Sequence, residues 1–348
     1  MAISSVAYSP KEFRVAIQPQ VILGTAITDG MQELNVDSIS HGTLGGNNNY
    51  DLKSGGGRIL QDEHYYHDNL GVVSEISISG IYNTDFFELI ENITGDTGEV
   101  WAVASNYKPS EEIKTGATLT ATDSLLFTLA IMPPISGTAT TPSATEGILY
   151  KDCVVTSFTW SGDMSDNSGL IKYSATLKTQ SPPALEQDAS GYTIAEYDMS
   201  AAKTILMADW VTPANRAICG VGDMFVNTFS LNLENDAIFV GQIAAGVCEV
   251  VTRGAEFSAT ADFNVKYDNQ SNQLLDDFQG ATTAVSAGNT VMSKQATPAT
   301  TADWGFRFHQ SVFTSVALSE GDIMNIDVSV KMVGAGSETN SVCLTMAD

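Results

Sequence analysis

The sequence predicts a mainly β protein, with two tandem antiparallel β-sandwich or barrel domains that each carry one short flanking α-helix. Residues 153–179 read as a long hairpin whose apolar and polar side chains alternate, and residues 257–267 alternate in the same way. An alternation of period two is typical of strands with one buried and one solvated face. A chain of 348 residues is also long enough for two hydrophobic cores.

The hairpin at residues 153–179 is the clearest predicted element. The apolar side chains of its second arm stand at alternate positions, namely Ile171, Tyr173, Ala175 and Leu177. The first arm continues the pattern at Phe158 and Trp160, and residues 162–169 between the arms are rich in Gly, Asp and Asn, which favour turns. None of these side chains suggests catalysis, so the hairpin indicates a protein that builds a structure.

The first half of the chain contains further strands and two long polar stretches. Residues 13–17 and 124–132 are predicted as strands because they are largely apolar. Residues 41–58 are rich in Gly and Asn and cannot bury enough apolar surface to order themselves, so we expect a mobile loop or one that orders only against a neighbour. Residues 133–147 are predicted as a second loop, rich in Pro, Thr and Ser.

A strand followed by a short helix is predicted once in each half. In the first half the strand covers residues 72–82, and the helix at 84–93 is capped by Asn83 or Thr84. In the second half the strand at 257–267 runs into a helix at about 269–278. Both helices carry apolar residues along one side, which predicts that they pack on the sheet.

The polar, proline-broken stretch at residues 180–191 is predicted as a linker. We place the domain boundary there, with domains at 1–188 and 189–348. After it, residues 226–231 echo the sequence of residues 155–160, and residues 304–316 and 323–332 are predicted as two more alternating strands. The order of matching segments differs between the halves, but the shared pattern predicts a duplicated fold.

Charge and cysteine content limit the function. The chain has 41 acidic and 16 basic residues, for a formal net charge of −25, and such a field disfavours specific binding to nucleic acid. The four cysteines are far apart and form no CxxC pair, which is typical of a chain kept in a reducing compartment. We see neither a signal peptide nor the ~18 consecutive apolar residues of a membrane span, and we expect no membrane association.

Catalytic and cofactor motifs are not recognised in the sequence. His64 and His67 could ligate a metal together with nearby carboxylates if their segment were helical, but we favour exposed loop residues for both. Adjacent acidic pairs such as Asp276 and Asp277 diverge on any regular element and are not a general acid and base. We therefore expect no enzyme activity, no cofactor and no metal.

The hairpin and the repeated strand-plus-helix unit resemble the tail tube proteins of long-tailed bacteriophages. In that family a small β-sandwich or barrel flanked by one helix assembles so that sheets of neighbouring subunits join around a channel. Long loops bridge the stacked rings, and the lumen is commonly acidic so that DNA slides through. The present chain is about twice the length of simple members, and a duplicated domain would explain this difference.

This resemblance implies a structural virion protein, made and assembled in the bacterial cytoplasm and located in the tail. Its partners would be further copies of itself, other tail proteins at the tube ends, and double-stranded DNA that passes without specific binding. We expect trimeric rings with pseudo-sixfold symmetry, the alternative being hexameric rings. The predicted contacts between rings lie in the Gly- and Asn-rich loop, at Gly45, Gly46, Asn47, Asn48 and Asn49.

Two other classes of function stay open at this stage. A virion surface or receptor-binding β-protein would present exposed aromatic residues on loop tips, whereas the loops here hold mostly Gly, Thr, Ser and Asn. A carbohydrate-active enzyme on a β-scaffold would need two carboxylates that face one cleft.

Overall fold

The computed structural model describes residues 13–20, 22–42, 47–50, 65–68, 73–83, 93, 112–114, 126–132, 147–187, 191–197, 205–210, 215–241, 248–253, 257–280, 288–294, 305–321 and 323–333. Across these residues the protein is mainly β, which confirms the predicted fold class. The predicted helix at 269–278 is observed as α1 (Asn272–Gly280). Asp268 caps its first turn, since the Asp268 carboxylate accepts hydrogen bonds from the backbone N–H groups of Gln270 and Ser271, both at 3.0 Å.

Twelve strands come from the first part of the described chain. They are β1 (Arg14–Gln20), β2 (Met31–Leu34), β3 (Ser38–Ser40), β4 (Asn47–Tyr50), β5 (Tyr65–Asp68), β6 (Ser74–Ile81), β7 (Glu112–Lys114), β8 (Leu126–Met132), β9 (Gly147–Asp163), β10 (Lys172–Thr179), β11 (Ala184–Gln187) and β12 (Ile194–Ala195). The predicted hairpin is therefore confirmed as β9 and β10, with Trp160 opposite Tyr173.

Eight more strands follow. They are β13 (Arg216–Ala217), β14 (Val226–Glu234), β15 (Ala237–Gly241), β16 (Cys248–Arg253), β17 (Ser258–Lys266), β18 (Gly288–Ser293), β19 (Gly305–Ser319) and β20 (Asn325–Met332). The strands predicted at 257–267, 304–316 and 323–332 are confirmed as β17, β19 and β20.

The strand pairings repeat along the chain. In a first unit, β1 pairs with β8, β8 with the start of β9, the rest of β9 with β10, β10 with β6, and β6 with β3. In a second unit, β13 pairs with β18, β18 with the start of β19, the rest of β19 with β20, β20 with β17, and β17 with β14. Each unit also holds one hairpin at the same place in the order, β4–β5 in the first and β15–β16 in the second.

The register of the two units agrees residue by residue. Lys172 at the start of β10 lies opposite Ile81 and Ser161, as Asn325 at the start of β20 lies opposite Lys266 and Ser319. The pairing of the long strand also slips once in each unit, and the residue passed over is Thr156 in β9 and Thr314 in β19. These shared details identify position by position which residues of the two units correspond.

The two units are joined edge to edge into one sheet. β9 of the first unit pairs with β14 of the second over seven residues, from Thr228 opposite Asp163 to Glu234 opposite Ser157. The largest hydrophobic cluster accordingly draws side chains from both units. The division into domains at residue 188 stays a prediction, and β12 beyond it still pairs with β2.

The sequence echo between residues 155–160 and 226–231 has a different meaning from the one expected. These segments lie in β9 and β14, which pair with each other, whereas the true counterpart of β9 is β19 and that of β14 is β3. Two strands that face each other in one sheet share a pattern because both meet the same core.

Two polar stretches contain strands where loops were expected. Within residues 41–58, β4 pairs with β5, for example Asn48 opposite His67. Within the expected linker at 180–191, β11 pairs with β9, with Ala184 opposite Leu149. The expectation of loops was wrong in both stretches for the same reason. Strands pair through their backbones, so polar side chains do not prevent β4 and β11 from forming.

Several predicted elements lie outside the described residues. These are the helix at 84–93 apart from Ile93, and the loop at 133–147 apart from Gly147. Ile93 is fully buried, and its carbonyl accepts a 2.8 Å hydrogen bond from the side-chain amide of Asn235 in the second unit.

A buried polar cluster lies at the point where β9 changes its partner from β8 to β10. Asp152 has a left-handed backbone with φ of 57° and is 1% exposed. Its carboxylate accepts hydrogen bonds from the Gln20 amide, the Ser181 hydroxyl and, at 2.7 Å, the backbone N–H of Gly24. A bulge of this kind bends a strand, so Asp152 sets the corner between β8–β9 and β9–β10.

Candidate assembly surface

One edge of β19 lacks a partner over its second half in the described part of the chain. In the first unit, the second half of β9 has β10 on one edge and β14 on the other. In the second unit, the second half of β19 has β20 on one edge, and its pairing with β18 on the other edge stops at Ser311. On the edge away from β20, residues 312–319 therefore present a row of backbone donors and acceptors that pair with no strand of the described chain.

The side chains along this part of β19 are exposed where their counterparts in β9 are buried. Trp160 is fully buried against Tyr82, with ring centroids 5.8 Å apart at an interplanar angle of 84°. Its counterpart Leu318 is 50% exposed. Phe158 is also fully buried, whereas its counterpart Val316 is only partly buried. The second unit thus exposes the positions that the first unit covers.

Five large apolar side chains form what we call the apolar rim, at one end of the second-unit sheet. They are Phe225, Tyr267, Leu318, Ile323 and Met324, and their exposed fractions are 50%, 39%, 50%, 69% and 46%. Backbone hydrogen bonds link the segments that carry Phe225, Tyr267 and Met324, from Lys266 N–H to Phe225 O at 2.9 Å and from Tyr267 N–H to Met324 O at 3.2 Å. Exposed apolar residues grouped in this way are typical of an interaction surface.

Two cations flank the Phe225 ring of the rim. The Arg216 guanidinium carbon lies 5.0 Å from the centroid of the Phe225 ring, and Lys266 Nζ lies 5.5 Å from it. Arg216 also forms a 3.2 Å ion pair with Asp223. Cation–π contacts hold the ring in place although half of it faces solvent.

The opposite edge of the joined sheet is β3. In the described residues β3 pairs only with β6, whereas its counterpart β14 pairs with both β17 and β9. Ser38 and Ser40 are exposed. Within the described residues the sheet is therefore open at β3 and at the end of β19. The counterparts of these two edges, β14 and β9, pair with each other at the internal junction.

One face of the joined sheet is hydrophilic. The Thr159 hydroxyl donates a 2.9 Å hydrogen bond to the Asn232 side chain across the junction, and the Asn264 amide donates a 2.6 Å bond to Asp327. Two lysines of this face are held by carboxylates, with Lys172 2.6 Å from Asp166 and Lys178 2.8 Å from Asp236. A phosphate backbone near this face would therefore meet hydroxyls, amides and neutralised lysines.

The titratable groups with shifted pKa values have structural causes. Burial raises the pKa of the Cys153 thiol, and the neighbouring Asp152 carboxylate adds to the effect. At the exposed tip of the β9–β10 hairpin, hydrogen bonds from the Ser165 hydroxyl and backbone N–H lower the pKa of Asp163. The hydrogen bond to Asp166 raises the pKa of Lys172. These shifts arise from burial within a strand and from hydrogen bonds within a turn.

The sequence-predicted site residues fall partly outside the described chain. Gly45 and Gly46 are outside it, and Asn47, Asn48 and Asn49 lie in β4 rather than in a loop, so their contact between rings stays a prediction. His64 is also outside, and His67 lies in β5. Because residues 65–68 are a strand, the helical spacing that would bring the two histidines together is not adopted there.

The described part of the chain contains neither a cluster of three or more metal-ligating side chains nor a helix long and apolar enough to cross a membrane. Comparison with known proteins identifies neither a matching family nor a similar curated protein. The open sheet edges and the apolar rim are therefore the features that bear on function.

Proposed function

We propose that the protein is a structural subunit of a bacteriophage tail tube, which assembles head to tail into rings that stack around a channel for DNA. The observation that carries the proposal is the repeated unit whose edges are satisfied at the β9–β14 junction and open at β19 and β3. A repeated unit that joins its twin in one direction can join the next copy in the same way.

The internal junction gives the register of the proposed contact between chains. At the β9–β14 junction Ser161 lies opposite Ser230. The counterparts of these residues are Ser319 in β19 and Ser40 in β3. We therefore expect Ser319 of one copy to lie opposite Ser40 of the next, with Leu318 covered as Trp160 is covered.

The number of chains in a ring is proposed from the resemblance to tail tube proteins, which implies rings of six units. If each junction between chains is equivalent to the internal one, three chains with two units each would supply such a ring. The hydrophilic face and the net charge of −25 suit a channel for an anionic polymer, because Lys172 and Lys178 on this face are held by carboxylates and the net field repels phosphates.

Electron microscopy of the purified chain tests the proposal. We expect hollow filaments above a critical concentration, with a mass per length that corresponds to three chains per ring. A chain that stays monomeric at every concentration would contradict the tube function, and six chains per ring would contradict the paired-unit arrangement.

A further inference from the structure

A short segment of the chain covers the turn between β9 and β10 in the first unit. This cover segment is Ile205–Trp210, and it includes a 3₁₀ turn at Met207–Asp209. Met207 N–H donates to Gly169 O at 2.8 Å, Ile171 N–H donates to Ile205 O at 3.1 Å, and Leu206 pairs with Leu170. The side chains of Ile205, Met207 and Trp210 are buried in the main hydrophobic cluster.

The corresponding turn of the second unit is exposed. Tyr82 N–H donates to Ile171 O at 3.0 Å in the first unit, and Tyr267 N–H donates to Met324 O at 3.2 Å in the second, so the two turns correspond. Ile171 is fully buried under the cover segment, whereas Met324 is 46% exposed and Ile323, the counterpart of Leu170, is 69% exposed.

The position of the cover segment ahead of β13 shows which residues correspond to it in the first unit. The cover segment precedes β13, and β13 pairs with β18 as β1 pairs with β8. Ala217 and Ile218 stand where Ala16 and Ile17 stand, and Ile17 and Ile218 are both fully buried. The residues ahead of β1, numbers 1–12, therefore occupy the sequence position of the cover segment.

The residue types of this stretch suit the exposed turn. Residues 1–12 include Ile3, Val6 and Tyr8, and Val6 precedes Ile17 by as many residues as Met207 precedes Ile218. Val6 is thus an apolar residue at the sequence place of Met207, which is 4% exposed.

The direction of the contact follows from the internal junction. The cover segment precedes the second unit and reaches back across the β9–β14 junction to the turn of the first unit. We propose that residues 1–12 reach across the junction between chains in the same way and dock on the β19–β20 turn of a second copy, at Ile323 and Met324. This inference rests on the proposed head-to-tail assembly.

A disulfide between copies tests the contact. Ser5 is the counterpart of Leu206, which pairs with Leu170, and Leu170 corresponds to Ile323. Opposed residues of an antiparallel pair have the Cα spacing that a disulfide needs. Assembled tubes of the variant carrying Ser5→Cys and Ile323→Cys should therefore give covalent trimers and dimers under oxidation, and the variant carrying Ser5→Cys and Leu185→Cys should not. Leu185 is 51% exposed but lies on β11, far along the chain from the turn.

A single substitution provides the second measurement. Val6→Asp should raise the critical concentration for assembly about tenfold, since it places a charge against an apolar turn, while the melting temperature of the monomer stays unchanged. Tubes that form normally with Val6→Asp, or that give no more cross-linking than the Leu185 control, would overturn the docking of residues 1–12 and leave the tube function standing. Failure of the unmodified chain to assemble would overturn both.

Discussion

Leu318 provides the sharpest test of the assembly surface. It is 50% exposed in the single chain, whereas its counterpart Trp160, in the strand that pairs with β14 of the second unit, is fully buried. Burying the exposed half of a leucine side chain contributes about 1 kcal/mol at each junction. A carboxylate at the same place loses this term and adds a desolvation cost of roughly 2–4 kcal/mol.

We therefore expect Leu318→Asp to weaken each junction by about 3–5 kcal/mol, which corresponds to a rise in critical concentration of roughly 100-fold or more. The monomer should keep its stability within about 0.5 kcal/mol, because the substitution lies on an exposed position. Sedimentation over a concentration series measures the first quantity, and chemical denaturation measures the second.

The matched control is Leu185→Asp. Leu185 has the same side chain and a similar exposed fraction, 51%, but lies on β11 away from the β19 edge and the apolar rim. The critical concentration of the Leu185→Asp variant should change less than threefold, which corresponds to a change of about 0.6 kcal/mol in the free energy of each junction. Equal effects of the two substitutions, or normal assembly of Leu318→Asp, would refute the assignment of β19 as the joining edge.

Three further predictions concern the junction and the core. In assembled tubes the variant carrying Ser40→Cys and Ser319→Cys should form disulfides between chains, whereas Ser38→Cys with Ser319→Cys should form few, because Ser38 lies two residues out of register. Asp152→Ala should destabilise the monomer by about 3 kcal/mol in urea denaturation, because two buried donors and the backbone N–H of Gly24 lose their acceptor, and Asp152→Asn should cost less since Asn tolerates the left-handed backbone. Cys153 should resist alkylation at pH 8 until the chain unfolds, because burial raises the pKa of its thiol and only the thiolate reacts; rapid native-state labelling of this residue in a peptide map would contradict this.

The strands with alternating side chains were predictable from sequence. In the β9–β10 hairpin and in β17 one face meets the core and the other meets solvent, so the residue types repeat with period two. Helix α1 was predictable because an acidic cap precedes apolar residues at helical spacing. In each case the decisive contacts lie within a few residues along the chain.

The matching of individual strands between the two units was not predictable from the alternation of residue types. Trp160 and Leu318 occupy equivalent places, but one is buried and the other exposed, so their neighbourhoods selected different side chains. Strands β9 and β14 look alike because they share a core, and this likeness masked the true order of the duplication. Pairing between distant strands, which sequence alone does not reveal, was needed to identify it.

The assembly surface was also hidden in the sequence. Val316 and Leu318 stand at alternate positions, as apolar residues of a core-facing strand do. Only the lack of a neighbouring strand within the described sheet distinguishes this part of β19, where Leu318 is 50% exposed. The corner at Asp152 was missed for a related reason, because its hydrogen-bond partners Gln20 and Ser181 are distant in sequence.

A reconstruction of the assembled protein by electron cryo-microscopy tests the central claim most directly. We expect three chains in each ring, with the end of β19 in one chain hydrogen bonded to β3 of the next and Ser319 opposite Ser40. A ring in which β19 and β3 lie apart, or an assembly that joins the chains through other edges, would contradict it.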